Sequence, residues 1–205
     1  MNLPNKLTLS RFGLTVGFLV AIFSKVPYRE TIALTLFVAA GISDFLDGQI
    51  ARRRNLITNF GILMDPLADK IMVCSAFIAF VELGWFPAWM TVIIVARELS
   101  ITGLRLLAAS KNVVLAAEGY GKHKTISQIV AIIAIFVEQI IGANPVGPNQ
   151  NQWGSVGQAI FGWHIFGHAW VYWLAESFKW IAVVLTFISG SLYLWKNREL
   201  YLNDM

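Results

Sequence analysis

The chain has 205 residues, of which 57% are hydrophobic and only 14% charged, and it carries a formal net charge of +4. So low a charged fraction excludes an ordinary soluble domain, where about a quarter of residues are charged, and places the chain among integral membrane proteins. Its basic residues sit at the ends of apolar runs and not along a soluble face, which points to anionic headgroups as neighbours and away from nucleic acid.

A bilayer core takes about 20 apolar residues per helix. Six apolar runs therefore predict an all-α integral membrane protein with six transmembrane helices, built as a single domain over 1–205. The first run is roughly Leu7 to Phe23, preceded by a short cytoplasmic segment over about 1–12. That segment carries Pro4 and Lys6 and has none of the small-residue cleavage pattern of a signal peptide. The second run, Ile32 to about Leu46, ends in Arg52, Arg53 and Arg54. The third is near Ile62 to Val81 and contains Pro66, which should start or kink the helix near Asp65. Cys74 lies in this apolar stretch and reads as a small core hydrophobe.

The fourth run, Phe86 to Leu107, follows an outer connection around Gly84 that holds no Lys or Arg, and the fifth is near Ile126 to Ile141. Between 142 and 172 the chain is rich in Gly, Pro, Asn and Gln, an outer loop with Trp153, Trp163, Trp170 and Trp173 as interfacial anchors. His164 and His168 have a helical metal-binding spacing, but no third ligand is nearby, and an interfacial role is favoured. The sixth run is Trp173 to Trp195. Lys and Arg concentrate before span one, after spans two, four and six, and before span five. This bias puts both termini and the Arg52–Arg54 cluster in the cytoplasm.

Four of the five aspartates fall between residues 44 and 69. Asp44 and Asp47 share one helix face, continued by Gly48 and Ala51; Gly61, Asp65 and Asp69 recur at i, i+4 and i+8 on another. The polar stretch from Arg53 to Phe60 should turn the chain back, so that the four carboxylates face each other. Carboxylates that close cannot all stay ionised without cations between them. Oxygen-only ligands favour Mg2+, with Mn2+ or Ca2+ as possible occupants, and two such ions would clamp a diphosphate. Small residues at Gly48 and Ala51 leave room for that ligand, and Arg52 offers it bidentate hydrogen bonds. Simple pairing of aspartates with arginines would suffice for one such pair, but not for four carboxylates on two matched faces.

Read as one string, Asp44 to Asp69 is D-F-L-D-G-Q-I-A-R, eight residues, then G-I-L-M-D-P-L-A-D. It resembles the motif of the CDP-alcohol phosphatidyltransferase family, D-x2-D-G-x2-A-R-x8-G-x3-D-x3-D, at every fixed position. The resemblance implies a six-helix membrane domain, a homodimer, and transfer of a phosphatidyl group from a CDP-linked donor to an alcohol with release of CMP. It implies that Asp44, Asp47 and Asp65 bind Mg2+ in a two-metal site, and that Asp69 joins that site and acts as general base. Asp44, Gly48, Ala51, Arg52 and Gly61 would then hold the CDP part of CDP-diacylglycerol.

Three further stretches, Pro4 to Phe12, Ala96 to Arg105 and Gly121 to Thr125, resemble the branch of that family that uses glycerol 3-phosphate as acceptor. Arg97 and Arg105 are eight apart, near one face of the fourth span, and Glu98 neighbours Arg97 without facing it. With Lys122 and Lys124 at the start of the fifth, they would make a pocket for the acceptor's phosphate. Positive-inside flanking alone would also explain the two lysines. Phosphatidylglycerol, inositol phosphate and serine remain alternative acceptors. A divalent-cation transporter is the reading from another class; it would place its carboxylates at the bilayer midplane, whereas these cluster at the cytoplasmic ends of their spans. A bacterial inner membrane is the expected location.

Overall fold

In the computed structural model the backbone is described for residues 3–54, 59–111, 120–141, 164–165, 168–198 and 200, and side chains for 10–43, 67–68, 70–108, 111, 125–141, 170–198 and 200. Six helices carry the apolar runs in order: α1 (Leu3–Phe23), α2 (Arg29–Arg54), α3 (Asn59–Glu82), α4 (Ala88–Ser110), α5 (Tyr120–Ile141) and α6 (Trp170–Lys196). A two-stranded hairpin, β1 (His164–Ile165) and β2 (His168–Ala169), precedes α6 and pairs Ile165 with His168. His164 and His168 thus lie on strands, and the helical spacing considered for them does not apply. The outer segment 142–163 lies outside the described residues.

The helices outrun the apolar segments because the flanking polar residues continue the same backbone hydrogen bonding. α2 extends through all three arginines, which leaves only 55–58 between it and α3. α3 runs without a break through Pro66. A proline inside a helix removes one backbone donor, and this helix tolerates that loss; it starts at Asn59, ahead of the start expected near Asp65.

The turn from α3 to α4 shows how sequence sets local geometry. Gly84 has φ of +73°, a left-handed conformation that glycine adopts without a steric penalty. Gly84 N donates to Val81 O at 3.1 Å and Trp85 N to Phe80 O at 2.8 Å, the two bonds of a Schellman ending. The Trp85 and Phe80 rings pack across it at 5.6 Å. Pro87 then opens α4, its carbonyl accepting from Met90 N and Thr91 N, where its own missing N–H costs nothing.

Side-chain contacts give the helix directions. Lys70 on α3 donates to the Glu98 carbonyl on α4 at 3.4 Å; the two residues are equidistant from Gly84, so α3 and α4 are antiparallel. Along α4 and α6, Arg97 lies at Gly190, Arg105 at Tyr193 and Lys111 at Leu200; the numbers rise together, so these helices are parallel. Between α5 and α6, Gln128 donates to Thr186 at 3.1 Å and Glu138 meets Lys179 at 3.8 Å; the numbers run opposite, so the pair is antiparallel. α1 passes Leu36 of α2 at Gly17 and lines a cavity with Gly41 and Ile42 at Arg11, again antiparallel. The pairs α1–α2, α3–α4 and α5–α6 are therefore each antiparallel.

The core is aromatic. Phe136 of α5 packs edge-on against Phe80 at 5.1 Å and Phe18 at 6.2 Å, and Phe18 reaches Phe37 at 6.2 Å. Buried Ala33, Ala40, Ala76 and Ala79 let the backbones approach around these rings. Outside the core, every helix exposes large apolar side chains: Val20, Ile42, Ile78, Val92, Ile126 and Phe187 are each more than half exposed. Surface of that kind on all sides is not what water-soluble monomers present.

Among the described residues, Trp170–Lys196 is the helix long and apolar enough to cross a membrane; Ser10–Phe23 and Thr125–Ile141 are shorter apolar stretches. Six such helices were expected. Ionisable residues such as Asp44, Lys70 and Arg97 lie inside α2, α3 and α4. One buried ionic group sits away from these: Lys179 of α6 lies 2.7 Å from Glu176 and 3.8 Å from fully buried Glu138.

Candidate active site

The four clustered aspartates occupy two consecutive helices. Asp44 and Asp47 are on α2 together with Gly48, Ala51 and Arg52, while Asp65 and Asp69 are on α3 together with Gly61. Both carboxylate pairs thus keep the helical spacing that puts each pair on one face. The side chains of all eight residues lie outside the described residues, as do those of Lys122 and Lys124 in the first turns of α5.

What surrounds these stretches is described. Met72 and Val73 lie one turn beyond Asp69, and Gly41 lies one turn before Asp44. Between them is a cavity of about 330 Å³ lined by Arg11, Phe37, Gly41, Met72, Ile129 and other apolar side chains. Arg11 is its single cation and is 98% removed from solvent, at 2% exposure. In the sequence Arg11 is legible only as a flanking charge for orientation. Its burial depends on α2, α3 and α5 closing around it, and no local pattern reports that.

Lys70 ties the aspartate helix to the arginine helix. Its ammonium donates to the Glu98 carbonyl and to the Thr102 hydroxyl of α4. Because Lys70 follows Asp69 and Glu98 follows Arg97, this contact puts the Asp69 and Arg97 stretches at the same height in the bundle. Lys70 is a second residue that the sequence did not single out; a cation directly after the last aspartate of the motif was its only signal.

Arg97 and Arg105 share a face, as their spacing predicts, and that face meets α6. The Arg105 guanidinium lies 5.9 Å from the centre of the Tyr193 ring, within cation–π reach, and its side chain is exposed. Arg97 is half-buried. Its Nη1 lies 3.3 Å from Glu98 Oε1, which corrects the expectation that Glu98 does not face it: the two adjacent side chains curl toward each other because both are held inside the bundle. Arg97 also lines a cavity of about 270 Å³ between α4 and α6, together with Ser100, Thr186, Gly190 and Ser191.

Comparison with known proteins gives a family match and several relatives. The family model described as CDP-alcohol phosphatidyltransferase matches residues 1–188. The chain is 34% identical to the CDP-diacylglycerol–glycerol-3-phosphate 3-phosphatidyltransferase of Bacillus subtilis (strain 168), over 97% of this chain and 96% of that protein. It is 33% identical to the Cereibacter sphaeroides protein of the same name, over 99% and 98%. A probable phosphatidylglycerophosphate synthase of Mycobacterium tuberculosis is 41% identical over 69% of this chain and 68% of that protein.

Proposed function

This chain belongs to the CDP-alcohol phosphatidyltransferase family, and we propose that within it the protein moves the phosphatidyl group of CDP-diacylglycerol to glycerol 3-phosphate, giving phosphatidylglycerophosphate and CMP. The observation that carries this reading is the unbroken aspartate motif on two consecutive helices of a chain that matches full-length phosphatidyltransferases of that name.

The donor set fits divalent metal: Asp44, Asp47, Asp65 and Asp69 offer only carboxylate oxygens, the choice of hard cations such as Mg2+. When bound, that metal supplies neutralisation of the charge on the diphosphate. The remaining work falls to the chain's own residues. Gly48, Ala51 and Gly61 leave space for the CDP moiety, and Arg52 pairs with its phosphates. The apolar cavity one turn deeper, with Arg11 inside it, suits the lipid end of the donor. Asp69 takes the proton of the acceptor hydroxyl as that oxygen attacks the β-phosphorus in line; the bond to the CMP oxygen breaks and CMP leaves. Arg97, Arg105, Lys122 and Lys124 hold the acceptor's own phosphate, so catalysis is largely positioning and electrostatics.

All six helices cross the membrane in this reading, supported by the exposed apolar side chains on each and by the antiparallel pairs α1–α2, α3–α4 and α5–α6. The aspartate ends face the cytoplasm of a bacterial inner membrane, where the basic connections gather. The protein acts as a homodimer, with apolar faces of the bundle available for the second copy. The deciding experiment supplies purified protein with CDP-diacylglycerol, Mg2+ and a panel of alcohols. CMP release is expected with glycerol 3-phosphate. Release only with phosphatidylglycerol, inositol phosphate or serine would keep the chemistry and change the acceptor, and release with none would refute the transferase reading.

A further inference from the structure

We propose that Gly190 of α6 is a positioning residue for the acceptor: its missing side chain is what allows Arg97 to lie where it does, and so sets the affinity for the acceptor's phosphate. The inference rests on the reading of Arg97 as a phosphate ligand. A Cβ on Gly190 would lie 2.7 Å from Cγ of Arg97 and 3.5 Å from its Cβ. These are atoms of the stem, next to the α4 backbone, and not the mobile end of the side chain. The arginine cannot yield by swinging its tip; it must leave its rotamer, or α4 and α6 must part.

Three observations give the contact a functional direction. The Arg97 stem is clamped, yet its Nε, buried from solvent, has no hydrogen-bond partner among the described residues. Nη1 makes only a long contact, 3.3 Å, with Glu98. A buried guanidinium donor without an acceptor is costly in a folded chain, and the cost is met when an anion supplies one. The Arg97 and Asp69 stretches lie at one height in the bundle through the Lys70 contact to Glu98. Arg97, Gly190, Ser100, Thr186 and Ser191 share one cavity, and Gly190 forms the part of its wall on which the stem rests.

The test is a set of four proteins, wild type, Gly190→Ala, Arg97→Ala and the double variant, assayed for CMP release. Glycerol 3-phosphate is varied at saturating CDP-diacylglycerol, and the donor is then varied at saturating acceptor. Gly190→Ala is expected to raise KM for glycerol 3-phosphate about tenfold or more, the scale of losing a charged hydrogen bond, with the donor KM unchanged. The double variant is expected to match Arg97→Ala, because without Cγ the alanine at 190 meets only the Cβ of residue 97, at an ordinary van der Waals distance of 3.5 Å. KM does not depend on how much protein folds, so a poor yield of Gly190→Ala leaves the comparison intact. If Arg97→Ala raises the acceptor KM while Gly190→Ala stays within about twofold of wild type, the positioning role is wrong and the phosphate pocket stands. If the double variant is additive, Gly190 does not act through Arg97. If Arg97→Ala itself leaves the acceptor KM unchanged, the phosphate-pocket reading fails and this inference falls with it.

Discussion

Replacing Lys179 by methionine tests whether the buried ionic group between α5 and α6 holds that helix pair together. Lys179 Nζ lies 3.8 Å from Glu138 Oε2 and 2.7 Å from Glu176 Oε1, with side chains 6%, 0% and 30% exposed in that order. At an effective dielectric of about 20, two unit charges 3.8 Å apart attract by about 4 kcal/mol. The variant loses that attraction and strands the Glu138 carboxylate, neither of whose oxygens accepts a hydrogen bond from a described residue. Breaking a buried pair in this way costs about 3–5 kcal/mol. Removing both charges in Glu138→Gln/Lys179→Met should restore most of the loss, since an uncharged buried pair of similar size is often nearly neutral. The assay is reversible unfolding in mixed detergent micelles, followed by tryptophan fluorescence. A Lys179→Met variant within about 1 kcal/mol of wild type, below the range for a broken buried pair, would refute the reasoning. So would a double variant less stable than either single one.

Asp69→Asn should abolish CMP release while the protein stays folded and still binds CDP-diacylglycerol; full turnover in that variant would overturn the assignment of the base. Chelation with EDTA should likewise stop CMP release from wild type, with recovery on adding Mg2+, measured in the same assay. Phe136→Ala should destabilise the bundle by about 3–5 kcal/mol, because its ring is fully buried among Phe18, Phe80 and Trp85; a loss under about 1 kcal/mol, the size of a surface change, would mean the neighbours collapse into the space.

The sequence alone determined the order of the described helices, because apolar run length is a local property and each run from Leu7 to Trp195 is bounded by charge or turn residues. It also picked out Asp44, Asp47, Asp65 and Asp69, since helical periodicity is local too and four carboxylates in so apolar a chain are conspicuous. The break around Gly84 was visible for the same reason, although the turn itself is a finding of the structure. Pro66 stays inside α3 and the arginines after Ala51 stay helical, because the local backbone hydrogen bonding runs on through them. Elsewhere, where sequence reasoning missed, a neighbour from far along the chain decided the outcome. Arg11 is buried by three other helices, Lys70 reaches across to α4, and Lys179 is paired inside the bundle with Glu138. Gly190 is the clearest instance. In the sequence it is one glycine among 16; only when α4 and α6 lie parallel does its missing Cβ become the space that Arg97 fills.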